Sequence, residues 1–341
     1  MDRRIFYFDL LKVLAIIMVV INHSYWWCVS NSPFGRGLNV FLLMFSKAAV
    51  PLFFMVSGAL ILSRKTTYKE VFTKRIVRVL IPLILVSIIW TIYKQGNMLL
   101  LPAYILNGSG EQYIPYWIWY LYAIIALYVM TPFLQKMLSK FKKRDYLIFI
   151  VLFLVIPSFL KMISTILPFI IGKTIIFNPD FFDILFPVQI GYYVTGYFLA
   201  GNYIKITKKC CNISFAVLIF TLLFSTLFTL YVNDNSVLDS YSYFTTAVEA
   251  ICIFTIIKFY FNKGLSNQTL EKVITNISNS VFGVYLFHCF VIDFLLKIYF
   301  IKAAFNLNGF LGLFLMDGIT LIVLTIVVYF LRKILILKKF L

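Results

Sequence analysis

Ten runs of about twenty mostly apolar residues follow one another along the chain with only short polar segments between them, and no other feature restricts the fold as much. Each run has the length a helix needs to cross a hydrocarbon layer about 30 Å thick. The candidate spans are 6–27, 38–62, 76–94, 114–135, 146–170, 183–202, 213–232, 242–261, 281–301 and 309–331. The fifth contains Pro157 and Pro168 and is a candidate for a kink or break. Hydrophobic residues make up 62% of the 341 and charged residues 13%, and the mean hydropathy is +0.94. A soluble domain cannot hide that much apolar surface beneath a polar exterior. The expected architecture is therefore an all-α integral membrane protein of about ten transmembrane helices. Residues 1–341 form a single membrane domain in this reading, with no soluble domain, linker or internal repeat.

A net charge of +18 would point to nucleic acid in a soluble protein. Here the basic residues lie in clusters between apolar runs, as they do at a cytoplasmic membrane surface. With the N-terminus inside, the inner segments hold the clusters Arg3–Arg4, Arg64–Arg78, Lys136–Arg144, Lys205–Lys209, Lys258–Lys272 and Arg332–Lys339. The outer segments hold only Arg36, Lys94, Lys161, Lys173, Lys297 and Lys302. Both termini are thus expected in the cytoplasm, and nucleic acid is not an expected partner. Asp9 and Lys12 interrupt the first run and no small-residue cleavage site follows it, so it is read as a retained span rather than a signal peptide. Cys28, Cys210, Cys211, Cys252 and Cys289 show no metal-ligand spacing, and most are expected to be small buried residues. The vicinal Cys210 and Cys211 are candidates for lipidation.

Ionisable groups inside a span cost several kcal/mol unless paired or hydrated, so each is a functional candidate. The first span carries three: Asp9, Lys12 and His23. Asp9 and Lys12, three residues apart, can pair. The eleven-residue step from Lys12 to His23 returns to within about 20° of the same helix face, roughly 16 Å further along the axis. The plainer reading is a membrane-end anchor and a satisfied interfacial histidine. Lys47 enters the second span, where snorkelling is the alternative to a role. Ser57-Gly58 lies deeper, and close helix packing through small residues is the alternative there. Arg75 and Arg78, three residues apart on a basic amphipathic stretch, can grip a pyrophosphate or carboxylate, or serve as ordinary inner-surface charge. Trp119, Tyr120 and Tyr122 open the fourth span, where an aromatic belt is the simpler account. The ninth span places His288 in its inner half, one turn after Tyr285. Glu249 and Asp317 are further intramembrane acids, each a candidate counter-ion to Lys or Arg. His23 and His288 have no metal-ligand spacing to another His, Cys or carboxylate, so no metal site is expected. No phosphate-binding glycine loop or nucleophile elbow is present.

Taken together, these blocks resemble the acyltransferase 3 family of bacterial membrane O-acyltransferases over nearly the whole chain. A basic residue, ten residues, then His appears as Lys12 to His23, preceded by Asp9. Val50–Gly58 (VPLFFMVSG) is similar to the family's second-span motif, and Arg75-x-x-Arg78 to its RxxR. Trp119–Pro132, Gly191–Gly201 and Ser280–Cys289 (SVFGVYLFHC) resemble further blocks. Lys12 stands where Arg is commoner, and no appended extracellular domain follows the last span.

The resemblance implies transfer of an acetyl or succinyl group from acyl-CoA to a carbohydrate hydroxyl. The acceptor would be an exopolysaccharide, a lipopolysaccharide or a lipid-linked glycan, and the setting the bacterial inner membrane with its lipids. Oligomeric state is left open. It further implies that Arg75 and Arg78 hold the anionic part of acetyl-CoA or another acyl-CoA. The pantetheine arm is then expected to run up a polar seam past Asp9 and Lys12, with His23 as general base or acyl carrier. Lys47, Ser57, Trp119, Tyr120, Tyr122, Tyr285 and His288 are unranked candidates for acceptor or oxyanion contacts. The competing reading is an exporter, flippase or small-solute transporter, which needs neither RxxR nor Lys-x10-His. A structural or sensory protein is the third.

Overall fold

The computed structural model describes residues 4–28, 32–108, 112–172, 187–201, 203–235 and 237–340. Arg3 and Lys173, counted above among the basic residues, lie outside them, as do 183–186 and 202 of the sixth predicted span. Among the described residues the chain is all helix, with no strand. Nine helices or helix pairs are long and apolar enough to cross a membrane.

The first, α1 (Phe6–Ser24), is followed by a one-turn coil at Tyr25–Trp27. The second predicted span is two helices, α2 (Pro33–Ser46) and α3 (Ala49–Leu62). Pro51 has no amide hydrogen to offer the carbonyl four residues earlier, that of Lys47, and the ladder opens there. The third span, α4 (Tyr68–Tyr93), begins earlier than the apolar run and includes a π-helical turn over Val71–Ile76. A short α5 (Leu101–Asn107) precedes α6 (Trp119–Leu138). The fifth span, α7 (Lys143–Ile171), is not broken by its prolines. A π-helical stretch at Val151–Val155 absorbs the missing donor of Pro157.

Then come α8 (Val188–Ala200), α9 (Lys208–Val232), α10 (Phe244–Phe261), α11 (Gln268–Leu295), α12 (Tyr299–Leu307), α13 (Gly309–Leu331) and a terminal turn α14 (Leu335–Lys338). The ninth span is shifted from the expected 281–301. Its helix starts at Gln268, where the Asn267 side chain accepts from the amides of Thr269 and Leu270, and ends at Leu295. The polar residues of its first half hid it from a hydropathy reading. His288 consequently lies in the second half of this helix, counted from Gln268.

Helix α1 is central, touching α2, α3, α10, α11 and α13. At the periphery, α9 turns large apolar side chains outward, with Phe220 70% and Leu227 63% exposed. In water such a surface would drive aggregation; in a bilayer it is the lipid face. The short α8 is buried instead, and its closest partner is α3. The two helices approach through facing glycines. A Cβ at Gly58 would stand 1.8 Å from the Tyr193 carbonyl oxygen, and one at Gly196 would stand 1.9 Å from that of Met55. Small residues at such crossings let backbones meet without a side chain between them.

Gly58→Ala is therefore expected to destabilise the bundle by about 1–3 kcal/mol, because backbone must move to admit the methyl group. Gly318→Ala in α13, where a Cβ meets nothing within 4 Å, is expected to be neutral or stabilising by up to about 1 kcal/mol. Thermal unfolding of the detergent-solubilised variants, followed by fluorescence size exclusion, checks both.

Candidate functional site

The polar residues of the first span are organised by one carboxylate. Asp9 is 2% exposed and receives four hydrogen bonds. Arg4 donates from Nε to Oδ2 at 2.5 Å and from Nη2 to Oδ1 at 2.8 Å. Lys12 Nζ lies 3.0 Å from Oδ1, and the Ser278 hydroxyl of α11 donates to Oδ1 at 2.7 Å. The expected Asp9–Lys12 pair thus forms, enlarged by two partners that spacing did not reveal. Arg4 also donates to Asn279 at 2.9 Å, a second tie between the start of the chain and α11. Two cations on one carboxylate leave a net positive charge here.

That cluster lines a cavity of about 1040 Å³ open at this end of the bundle. The exposed part of its wall carries Arg4, Arg64 and Arg78, with the half-buried Arg332 from the end of α13. The side chain of Arg78 is steadied by a 2.9 Å hydrogen bond to the Lys339 carbonyl. Deeper in, the wall passes Lys12 and Ser57 to Tyr120 and Tyr285, whose rings meet edge to face at 5.6 Å.

Adjacent residues on α3 divide their duties: Ser57 faces the cavity while Gly58 makes the α8 crossing. Both arginines lie in electrostatic range of Tyr128, itself part of the cavity wall, but they stand differently toward the cavity. Arg78 lines the cavity, whereas Arg75, set within the π-helical turn, sits half-buried in electrostatic range of Tyr128 and Tyr193.

His23 is not in the cavity wall. Ile16 and Val19 lie between it and Lys12 on the same face of α1, and both are packed into the core. The shared polar stripe is interrupted by apolar packing. Instead, His23 stands against two rings from other elements: His288 at 4.9 Å and Tyr116 at 5.4 Å between centroids. His288 in turn lies 6.0 Å from Tyr285, a buried residue of the cavity wall. From cavity to His23 the order is Tyr285, His288, His23. The Tyr285 hydroxyl donates to the Trp117 carbonyl at 2.5 Å.

His288 Nδ1 lies 2.7 Å from the Tyr285 carbonyl. A carbonyl only accepts, so Nδ1 carries the hydrogen and Nε2 keeps its lone pair. The Cys289 sulfur is 3.2 Å from that Nε2. One potential ligand atom each from His23, His288 and Cys289 lie within 4.8 Å of one another. Metal-ligand spacing could not show this, since the first is 265 positions from the second and the others are sequence neighbours.

The remaining candidates fall elsewhere. Lys47, in the break between α2 and α3, pairs with Asp239 and lies in electrostatic range of His23. Trp119 stacks on Tyr241 at 4.7 Å, and Tyr122 donates to the Ile105 carbonyl at 2.9 Å; neither lines the cavity. Among the described residues Glu249 and Asp317 form no ion pair with Lys or Arg. Their neighbours include Tyr192 and Ser24 respectively.

The acyltransferase 3 family model, that of an acyltransferase domain, matches residues 5–332, nearly the whole chain and all of the site but Arg4. The chain belongs to the acyltransferase 3 family. No curated protein and no solved structure matches it. In this membrane acyltransferase the residues that sequence reasoning missed are Arg4, Ser278, Asn279 and Arg332. Arg4 offered a weak signal, a cation five positions before a buried acid. The other three are brought in only by the packing of α11 and α13 on α1.

Removing the Asp9 carboxylate leaves Lys12 and Arg4 facing each other without a counter-ion. Breaking a buried pair costs about 3–5 kcal/mol, but Arg4 is 47% and Lys12 26% exposed, so solvent reduces this to about 2 kcal/mol. Ser278→Ala removes a single donor and is expected to cost about 1 kcal/mol. Thermal unfolding in detergent should rank Asp9→Ala well below Ser278→Ala; the reverse order would remove Asp9 from its organising role.

Proposed function

We propose that this acyltransferase moves an acetyl or succinyl group from acyl-CoA to a hydroxyl of an exopolysaccharide, a lipopolysaccharide or a lipid-linked glycan, as a multi-pass protein of the bacterial inner membrane. The observation that carries the reading is the cavity. Its exposed wall is lined by arginines, and its closed end lies two rings from a half-buried histidine. Guanidinium groups bind phosphates through paired hydrogen bonds, and a nucleotide-linked acyl donor is most anionic at the end it would present to Arg4, Arg78 and Arg332. The basic end then faces the cytoplasm, where acyl-CoA is available. Arg75 plays a lesser part in donor binding than its motif implies, since it stands outside the wall.

In the proposed reaction the pantetheine arm extends past Lys12 and Ser57, and the thioester passes between Tyr120 and Tyr285 to reach His23. His23 accepts the proton of the acceptor hydroxyl while that oxygen attacks the thioester carbonyl. The tetrahedral oxyanion is stabilised by a hydroxyl at the closed end. Tyr120 suits this better than Tyr285, whose hydrogen is committed to the Trp117 carbonyl. Collapse breaks the carbon–sulfur bond, the ester leaves, and the imidazolium returns its proton to the CoA thiolate. His288, oriented by the Tyr285 carbonyl, holds a second imidazole against His23. Lys47 and Asp239 lie near His23 away from the cavity, where an acceptor entering from the other side would meet them.

Purified His23→Ala is expected to lose acyl-CoA-dependent transfer by about 10²- to 10⁴-fold without loss of folding. Arg78→Ala and Arg332→Ala should each raise the KM for acyl-CoA about tenfold, the loss of one partly exposed charge-assisted contact, with Arg75→Ala closer to wild type. Steady-state kinetics with varied donor decide the matter: wild-type turnover by folded His23→Ala would refute the chemistry, and an unchanged donor KM in both arginine variants would refute the donor site.

A further inference from the structure

The two histidines and Cys289 form an unusual group for the interior of a membrane helix bundle. Their nearest polar atoms fall within 4.8 Å of one another, with His288 Nε2 and Cys289 Sγ only 3.2 Å apart. A tetrahedral site with zinc–nitrogen bonds of about 2.0–2.1 Å and a zinc–sulfur bond of about 2.3 Å holds its ligand atoms about 3.3–3.8 Å apart. The His288–Cys289 pair is already close to that spacing, and His23 needs a side-chain adjustment of about 1 Å. We propose that His23, His288 and Cys289 bind a soft divalent cation of the zinc class, and that occupancy silences the enzyme by taking the His23 lone pair. The silencing, though not the binding, rests on the reading of His23 as the base.

Several features beyond the three ligand atoms favour a site. Imidazole and thiolate together select zinc-like cations over magnesium or calcium. The His288 ring has its other nitrogen held by the Tyr285 carbonyl at 2.7 Å. That is the outer partner a metal-bound histidine ordinarily has, and it leaves Nε2 free to coordinate. The Tyr116 hydroxyl lies 3.8 Å from the Cys289 sulfur, placed to donate to a thiolate. Three protein ligands leave a fourth position for water. The ligands come from two helices, α1 and α11, already fastened by Asp9 and Ser278 at the other end of the cavity. Charge is also tolerable. Binding transfers the Cys289 thiol proton to solvent, so the thiolate offsets one of the two positive charges. The Lys47 ammonium in range of His23 is paired with Asp239, and Asp293 lies in range of Cys289.

The 3.2 Å contact also suits an S–H donor on His288 with no metal at all, and the experiment separates the two. Detergent-solubilised protein carrying Cys210→Ser and Cys211→Ser, which removes the vicinal thiols, is titrated with Co²⁺. One equivalent is expected to bind with the visible bands of four-coordinate cobalt and a near-ultraviolet thiolate-to-cobalt charge-transfer band. Zn²⁺ should abolish both. Adding Cys289→Ser should eliminate the near-ultraviolet band and weaken binding at least tenfold. Absence of the band, or a band indifferent to Cys289→Ser, overturns the site. In the transfer assay, Zn²⁺ should inhibit the protein with Cys289 intact at concentrations at least tenfold below those needed for the Cys289→Ser variant. Cobalt binding through Cys289 with turnover indifferent to Zn²⁺ overturns the silencing. The spectra require no turnover, so failure of the acyl-transfer reading would show separately, as inactivity of metal-free protein.

Discussion

The buried carboxylate of Asp9 is the constraint from which the rest of this site follows. In a medium of low dielectric a lone carboxylate is so costly that it must be met by donors on every accessible side. Here the donors come from three places: the segment before α1, the next turn of α1, and α11 some 269 positions away. Satisfying one charge therefore places Arg4 beside α1, ties α1 to α11, and sets the relative height of the two helices. That height is what brings His288 level with His23. The same group leaves an excess of positive charge at the cavity wall, which an anionic ligand can neutralise. A single unfavourable burial is thereby compensated in a way that builds the cavity wall and the distant imidazole pair together.

How much of this was legible follows from what hydropathy and periodicity can register. Long apolar runs marked most spans to within a few residues, because lipid-facing helices such as α9 and α13 are apolar on nearly every side. Helix α11 was mislocated for the complementary reason. Its first half carries Gln268, Glu271, Lys272, Asn276, Ser278 and Asn279, too polar for a hydropathy window, and the last two of these bond to Asp9 and Arg4. Spacing within a helix found the Asp9–Lys12 pair and the role of Gly58, both local consequences of i to i+3 geometry and side-chain size. It did not reveal that of Arg75 and Arg78 only the second lines the cavity, nor that Ile16 and Val19 interrupt the stripe to His23. The contribution of Arg332 and the meeting of His23 with His288 and Cys289 depend on packing between distant helices, and no local pattern encodes them.

The family blocks were nevertheless visible in the sequence, and the structure separates them by physical job. Glycines at 58 and 196 serve helix contact, Ser57 and Tyr120 serve the cavity, and Trp119 and Tyr122 hold neighbouring elements. A motif is thus a mixture of packing and chemical residues, and only the fold sorts them.

The closed end of the cavity has an energetic logic of its own. On the proposed reading a donor arm reaches His23 only if the Tyr285 ring turns, which breaks its 2.5 Å bond to the Trp117 carbonyl. One neutral hydrogen bond costs about 1 kcal/mol net, a small fraction of what a ligand able to fill a cavity of this size can gain from its phosphates and apolar arm. Closure therefore takes little from donor affinity. What it gives is separation of the imidazole pair from the cavity until a donor is bound. The hydrogen bond and the edge contact with Tyr120 form a low barrier at the first of the two rings, one that donor binding can open.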